Sequence, residues 1–236
     1  MPDAGTPIGR RVFFGLVGLG ALGVLFGGKI DDWLSSAANP IVKHDPTGLA
    51  SSLLPLEGFR YYSITGDFPD RAPSDYTLKV NGLVERPYTL DYDQLTALPP
   101  TMLTKDFQCV TGWRVKNVHW TGVKLGDLLD RAIVKPNAQA LRFTSFDGEY
   151  TESLTLDQAR RDDVIVAYSM QGKPLSSDHG GPARLYVAPM YGYKSCKWLD
   201  TIEVVDHVIP GYWEENGYDV DGWVGRSNGR DDQPTS

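Results

Sequence analysis

A single mixed α+β domain in which β-strands predominate is the fold class that the sequence predicts. The 236 residues include 25 glycines, 16 prolines and 11% aromatic residues, and runs with long helical periodicity are few. Such a composition is typical of short strands joined by structured loops. Apolar residues make up 41% of the chain, which is enough for a sizeable core. The net charge is −7 and the basic residues are scattered, which argues against nucleic acid as the main partner.

The predicted elements are, in chain order, a strand, an Asn-Gly turn and a second strand over residues 76–84, a helix over 89–95, a strand over 104–110, a helix over 123–132, a strand over 141–146, a short helix over 155–159, and strands over 164–168, 183–187 and 198–205. Alternation of apolar and polar residues indicates the first strand pair, and Asn81-Gly82 is a turn signal. The helix over residues 89–95 has an N-cap Thr or Asp. Leucine spacing indicates the next helix. The domain is placed at residues 58–225, preceded by a linker over 39–57 and followed by a disordered tail over 226–236.

The N-terminus carries a separate signal. Arg10-Arg11 precedes a charge-free apolar run over residues 12–28, and the order Arg-Arg-x-Phe is typical of a twin-arginine export signal. An ordinary membrane helix with positive-inside flanks fits the same residues. Ser36-Ala37-Ala38 is an imperfect cleavage site, so residues 1–38 are either a cleaved signal or an uncleaved anchor. We expect the domain to work in the periplasm or on the extracytoplasmic face of the membrane.

Cys109 is the residue on which the function depends. It lies in Asp106-Phe-Gln-Cys-Val-Thr-Gly-Trp113 and is one of only two cysteines, the other being Cys196. A Cys109–Cys196 disulfide is open to an exported chain. A nucleophilic thiol is less attractive because no base with an orienting partner is visible, and no zinc-ligand spacing occurs. The remaining possibility is a thiolate on a soft transition metal whose other ligands come from a cofactor.

The segment Asp178–Trp198 has donors suited to the anionic periphery of such a cofactor. His179 and Arg184 flank a glycine turn, and Lys194, Ser195 and Lys197 follow another glycine, as expected for a phosphate cradle. A solvated hairpin with ordinary surface lysines is the alternative reading of this segment.

These two motifs resemble those of the sulfite oxidase family of molybdopterin-dependent oxidoreductases. The first is Asp106–Trp113 with the following Trp120-Thr-Gly-Val-Lys-Leu-Gly-Asp-Leu-Leu129; the second is His179-Gly-Gly-Pro-Ala-Arg184 with Lys194-Ser-Cys-Lys-Trp198. Their order and spacing are most similar to those of periplasmic methionine sulfoxide reductase catalytic subunits. The resemblance covers residues 59–218 and implies the sulfite-oxidase-type molybdopterin-binding fold, with molybdenum and molybdopterin as the cofactor.

The resemblance also implies roles for individual residues. Cys109 is expected to be the thiolate ligand of molybdenum, and Tyr150 to donate a hydrogen bond or shuttle a proton beside the metal, unless it is an ordinary strand aromatic. Arg60 is a candidate electrostatic partner of substrate or cofactor. The expected cofactor contacts are Tyr62, Ser63, Ser145, His179, Arg184, Ser195, Cys196 and Lys197, of which Cys196 contributes only its backbone.

Departures from the family pattern bear on the substrate. After the cysteine, sulfite oxidases have Gly-Asn-Arg-Arg, whereas this chain has Thr111-Gly-Trp-Arg114, and an upstream Arg-Asn-His is replaced by Tyr62-Ser63-Ile64. We therefore expect two-electron oxygen-atom transfer at molybdenum in the direction of S-oxide or N-oxide reduction, with sulfite-type oxidation as the alternative. The electron partner is expected to be a separate protein, for which a membrane haem or quinone-linked subunit is the candidate. A cofactor-free binding or structural domain is the alternative of another class.

Overall fold

Two five-stranded sheets form the domain. The computed structural model describes residues 59–235, and the compact unit that contains the domain begins at Tyr61. The strands are β1 Thr77–Gly82, β2 Tyr88–Asp91, β3 Thr101–Gln108, β4 Arg114–Lys124, β5 Ala140–Ser145, β6 Thr151–Thr155, β7 Val164–Met170, β8 Lys173–Pro174, β9 Arg184–Val187 and β10 Leu199–Val205. The helices are α1 Tyr92–Thr96, α2 Leu125–Ala132, α3 Leu156–Ala159 and α4 Tyr212–Glu215.

The first sheet has the strand order β2-β1-β10-β5-β6, and the second has β3-β4-β7-β8 with β9 paired to β7. Strands β1 and β10 are parallel, and the other pairs are antiparallel. One hydrophobic core takes residues from both sheets, including Val80 of β1 and Val166 of β7. Helix α2 packs Leu125, Leu128 and Leu129 into the same core, which explains their predicted spacing.

Short helices α1 and α3 begin where side chains cap them. Asp91 and Gln94 form a reciprocal capping box at α1, and Thr155 and Gln158 form another at α3. Each box satisfies two backbone N–H groups that the first helical turn leaves without partners. Both helices were predicted, but α1 begins at Tyr92 after the N-cap Asp91, and residues 89–91 of its predicted range belong to strand β2.

Asn81-Gly82 is not the predicted turn. Strand β1 continues through both residues and pairs in parallel with β10, where Gly82 lies opposite Val204. Gly82 has φ +85, and a Cβ on it would lie 2.2 Å from the backbone oxygen of Val204. The glycine is therefore needed for close strand approach, and the connection to β2 follows it.

Residues 226–235 were predicted to be disordered, but the structure gives them defined contacts. Ser227 is buried, and the Thr235 hydroxyl donates to the carbonyl of Ala188 over 2.9 Å. The polar residues that suggested disorder instead form hydrogen bonds with the rest of the domain. The predicted signal or anchor and the linker lie outside the described residues. Among residues 59–235, no helix has the length and apolar character needed to cross a bilayer.

Candidate cofactor and active site

Cys109 lies on a tight turn between β3 and β4. Its N–H donates to the carbonyl of Trp113 over 2.9 Å, and its carbonyl accepts from the N–H of Gly112 over 3.0 Å. The half-buried thiol lies 3.2 Å from the Thr111 hydroxyl. Neither Cys109 nor Cys196 forms a disulfide within residues 59–235. The thiol is thus held by its backbone in a fixed turn and is available as a ligand.

Arg114, the first residue of β4, braces this turn. Its guanidinium donates to Gln108 over 2.6 Å and forms an ion pair with Asp106 at 3.3 Å. Asp106 also accepts from the backbone of Asn117 over 3.0 Å. The positive charge of Arg114 is therefore paired within the protein, beside the turn.

Gly192 lets the two sequence motifs meet. A Cβ at this position would lie 2.4 Å from the ring of Phe107, the residue two positions before Cys109. The ring of Phe107 stacks on Trp113 at a centroid distance of 5.7 Å, and the ring of Tyr62 stacks on the same Trp113 at 6.3 Å. The turn after Gly192, the Cys109 turn and the segment around Tyr62 therefore pack together.

Arg184 links two backbone segments of the second motif, one at His179 and one at Ser195, from a buried position. Arg184 is buried and donates to the carbonyls of His179 and Ser195, each over 2.8 Å. Burial lowers the pKa of Arg184 to about 10. Burial, together with the charges of Arg184 and Lys197, lowers the pKa of His179 to about 3, so its imidazole stays neutral. The Tyr61 hydroxyl lies 3.2 Å from Nε2 of that ring.

Lys197 and its neighbours occupy the same region. The Lys197 ammonium donates to the carbonyls of Tyr62 at 3.0 Å and Asp178 at 2.8 Å. The Ser195 hydroxyl accepts from the N–H of Val187 over 3.0 Å. Cys196 is fully buried, and burial raises the pKa of its thiol. Its carbonyl accepts from the N–H of Leu185 over 2.8 Å, and the backbone contact with the cofactor stays a prediction.

Ser145 and Tyr150 enclose a turn between β5 and β6. The Ser145 N–H donates to the Tyr150 carbonyl over 3.0 Å, and its hydroxyl accepts from the N–H of Asp147 over 3.2 Å. The Tyr150 hydroxyl donates to the carbonyl of Tyr193. Burial, followed by the nearby Glu152, raises the pKa of Tyr150, so the phenol stays protonated and serves as a donor rather than a base.

Lys194 was predicted to lie in a phosphate cradle, but its ammonium is bound by carboxylates inside the protein. It is fully buried and forms ion pairs with Glu152 and with Glu214, the latter at 2.6 Å, and it donates to the Val220 carbonyl over 2.9 Å. Charge pairing within the protein thus takes the ammonium away from any bound anion. No sequence pattern pointed to Glu152 and Glu214, because isolated glutamates in β6 and α4 carry no local signal of burial.

The predicted contacts with the cofactor stay predictions. Arg60 precedes the compact unit that begins at Tyr61, and Ser63 is seen bonded to the Thr65 hydroxyl at 2.9 Å. The structure does place Tyr62, Cys109, His179 and Lys197 in one region. It also shows Arg184 acting as a brace between backbone segments, so a direct contact of its side chain with the cofactor stays a prediction as well.

A half-buried thiol, a neutral imidazole and glycine-flanked cations define the class of site: one that holds an anionic metal cofactor through a single thiolate. Residues 65–213 match the family described as the oxidoreductase molybdopterin binding domain. The chain belongs to this family and is a molybdopterin-dependent oxidoreductase, as the two motifs predicted.

Known relatives agree with this assignment. The uncharacterized oxidoreductase YuiH of Bacillus subtilis is 37% identical over 160 residues, which are 67% of this chain and 80% of the relative. The sulfite oxidase of Arabidopsis thaliana is 31% identical over 61% of this chain and 45% of its own length. The methionine sulfoxide reductase catalytic subunit MsrP of Gluconobacter oxydans is 30% identical over 69% of this chain and 57% of its own. The chain thus spans about half the length of the last two relatives.

A solved structure supports the predicted fold. The sulfane dehydrogenase SoxCD of Paracoccus pantotrophus superposes with a TM-score of 0.57 at 27% identity, covering 61% of this chain and 41% of the other. The β-rich α+β, sulfite-oxidase-type fold is therefore confirmed.

The residues present fit a molybdopterin cofactor. Cys109 offers a soft ligand on a rigid turn, and the neutral His179 offers one N–H donor and one acceptor. Gly180 lets Lys197 approach closely, because a Cβ there would lie 2.8 Å from the Lys197 side chain. This packing places an ammonium beside the imidazole, where an anionic group is stabilised.

Proposed function

We propose that the protein is an exported molybdenum enzyme that reduces a neutral S-oxide or N-oxide. Written for a sulfoxide, the reaction is R₂S=O + 2 H⁺ + 2 e⁻ → R₂S + H₂O. The electrons come from a separate electron-transfer protein, and the protons come from water. Sulfite-type oxidation, the activity named for one relative, is the alternative.

The pairing of Arg114, Lys194 and Arg230 with carboxylates carries this proposal. Arg114 is paired with Asp106, Lys194 with Glu152 and Glu214, and Arg230, which lies against the turn at Gly112, with Asp232 at 2.6 Å. A dianion such as sulfite needs charge-assisted donors to offset its loss of hydration. Cations already paired within the protein are poor partners for it, whereas a neutral oxide has a much smaller desolvation cost.

Residues of the chain take distinct parts in the proposed reaction. The Cys109 thiolate holds the metal, and His179 and Lys197 hold the anionic periphery of the cofactor. When bound, the cofactor supplies the two-electron redox change and accepts the transferred oxygen atom. Tyr150 stays protonated, so on leaving the Tyr193 carbonyl its hydroxyl can donate to the substrate oxygen and weaken the bond that breaks.

Turnover of matched substrates tests the proposal. The purified, molybdenum-loaded protein is assayed with a reduced viologen dye and either an alkyl sulfoxide or a tertiary amine N-oxide, and separately with sulfite and ferricyanide. We expect dye oxidation with at least one oxide and at least about 100-fold lower kcat/KM with sulfite, a difference of about 2.7 kcal/mol in transition-state binding. Efficient sulfite oxidation without oxide reduction would overturn the substrate assignment.

A pair of cysteine variants tests the ligand in the same assay. Cys109→Ser is expected to lose most of its molybdenum and to lower turnover by about 100-fold or more, because an alkoxide is a much poorer ligand than a thiolate at neutral pH. Cys196→Ser is the matched control and is expected to keep its metal. Molybdenum content is measured by mass spectrometry of the folded protein. Full metal content in Cys109→Ser contradicts the ligand role.

A further inference from the structure

The C-terminal segment over residues 226–235, here called the strap, lies outside the part of the chain that matches the family. It is nevertheless anchored at both ends. Asn228 donates to the Tyr193 hydroxyl over 3.0 Å and accepts from the N–H of Asp219 over 2.9 Å. At the other end, the Thr235 hydroxyl donates to the Ala188 carbonyl.

Between these anchors the strap contacts the turn that carries Cys109. Arg114, which braces the turn, donates to the strap carbonyls of Gln233 and Pro234, the latter over 3.3 Å. The Arg230 guanidinium lies against Gly112, where a Cβ would be only 2.9 Å from Nη2. Gly112 donates to the Cys109 carbonyl, so the strap touches the residues that fix the cysteine backbone.

Asp232 holds the middle of the strap in place. Its carboxylate accepts from the Tyr191 hydroxyl over 2.9 Å and from Nε of Arg230 over 2.6 Å. Tyr191 is fully buried, and its hydroxyl also accepts from the N–H of Gly225 over 3.1 Å. A buried anchor, a carboxylate and a guanidinium therefore link the domain interior to Gly112.

We propose that the strap is a positioning device for the Cys109 thiol, with Asp232 and Arg230 as its positioning residues. Strands β3 and β4 hold the turn from one side, and the strap holds it from another. Releasing the strap frees Arg114 and Gly112 to move, and the thiol then samples more orientations. The inference rests on the proposed ligand role of Cys109 for its consequence in the enzyme, but the positioning itself is a property of the chain.

Alkylation of Cys109 in the cofactor-free, full-length protein tests this inference. The rate with iodoacetamide is followed for the Cys109 peptide by mass spectrometry. Asp232→Ala is expected to raise this rate by about tenfold, because removing charge-assisted hydrogen bonds makes local opening easier. Asp231→Ala, an exposed aspartate one position away, is the matched control and is expected to leave the rate unchanged.

Two further variants separate positioning from loss of fold. Asp232→Asn keeps an acceptor for Tyr191 and Arg230 and is expected to restore most of the protection. Tyr191→Phe keeps the packing but removes the hydroxyl that anchors Asp232, so faster alkylation is expected with an unchanged far-ultraviolet spectrum. Equal rates in Asp232→Ala, Tyr191→Phe and the unaltered protein would overturn the inference.

Metal retention then connects the strap to the enzyme. The loaded Asp232→Ala protein is expected to lose molybdenum on gel filtration faster than Asp231→Ala. If the unaltered protein holds no molybdenum while the alkylation difference persists, the proposed function fails and the strap inference stands. If metal is held but alkylation is the same in every variant, the strap inference fails and the proposed function stands.

Discussion

Lys194 shows how a single buried charge determines its surroundings. Its ammonium is fully buried between the Glu152 and Glu214 carboxylates, and the second oxygen of each carboxylate, Oε2, has no donor within the described structure. Burial raises the pKa of Glu152 well above its usual value, the adjacent Lys194 ammonium lowers the pKa by less, and the nearby Glu214 carboxylate raises it further. We infer that one proton is shared between the two carboxyls, which makes the triad neutral.

Substitution of Glu152 tests the shared proton. Glu152→Gln keeps an oxygen for Lys194 and offers an N–H to Glu214, so we expect the free energy of unfolding at about pH 4.5, where the proton costs the folded protein little, to change by less than about 1 kcal/mol. Glu152→Ala leaves the buried pair incomplete and is expected to cost about 3–5 kcal/mol. Urea denaturation measures both values. A glutamine variant as unstable as the alanine variant contradicts the shared proton.

The raised pKa of Glu152 also predicts the direction in which stability changes with pH. The pKa of Glu152 is raised in the folded state, so the folded protein holds this proton more tightly than the unfolded chain does. Its contribution is full below the unfolded value of about 4.5 and is lost as pH rises through the folded value. Glutamine does not titrate, so the unaltered protein should lose stability relative to Glu152→Gln as pH rises.

At the scale of elements, the sequence predicted those features that depend on residues close together in the chain. The leucines of α2 and the capping boxes of α1 and α3 act within a few residues, and these helices appear where the sequence placed them. Strand β4 was not assigned, although its residues alternate around His119, because its pairing with β3 and β7 depends on distant segments. The misplaced turn at Asn81-Gly82 has the same cause, since the parallel partner β10 lies more than a hundred residues away.

Gly122 is a test of these distant pairings. It lies where β4 meets β7 at a register shift, and a Cβ on it would be 2.2 Å from the backbone oxygen of Val166. Gly122→Ala must push the two strands apart, and we expect it to lower the free energy of unfolding by about 2–3 kcal/mol.

Gly126 in helix α2 provides the matched control. A Cβ there meets its nearest atom at 3.9 Å, an ordinary contact, and alanine favours the helix. Gly126→Ala is therefore expected to leave stability unchanged or to raise it by about 0.5 kcal/mol. Denaturation curves of the two variants make the comparison, and equal stabilities would show that β7 can move away from Gly122 at little cost.

At the scale of the whole molecule, the site exists because two remote motifs fold against each other. Their residue types predicted the cofactor class, and the structure brings Cys109 and the segment after Gly192 together through Phe107. The sequence did not show that Lys194 would be neutralised or that the strap would contact the Cys109 turn. Both depend on side chains whose partners lie in other elements, so no periodicity or spacing could have revealed them.

Export is the prediction that concerns the whole chain. A twin-arginine signal directs proteins that fold before transport, and a protein that binds molybdopterin must fold around its cofactor to retain it. Replacing Arg10 and Arg11 together by lysine keeps the charge but removes the arginine pair. We expect this change to leave the loaded enzyme in the cytoplasm, with its molybdenum content unaltered.

Cell fractionation with activity measurements distinguishes the outcomes. Lys29→Gln, which removes a charge at the far end of the apolar run, is the matched control and is expected to export normally. Cells that cannot make molybdopterin should also export less protein, because folding without the cofactor leaves the Cys109 site incomplete. Unchanged export of the Arg10 and Arg11 double variant would show that the pair is a positive flank of an ordinary membrane segment instead.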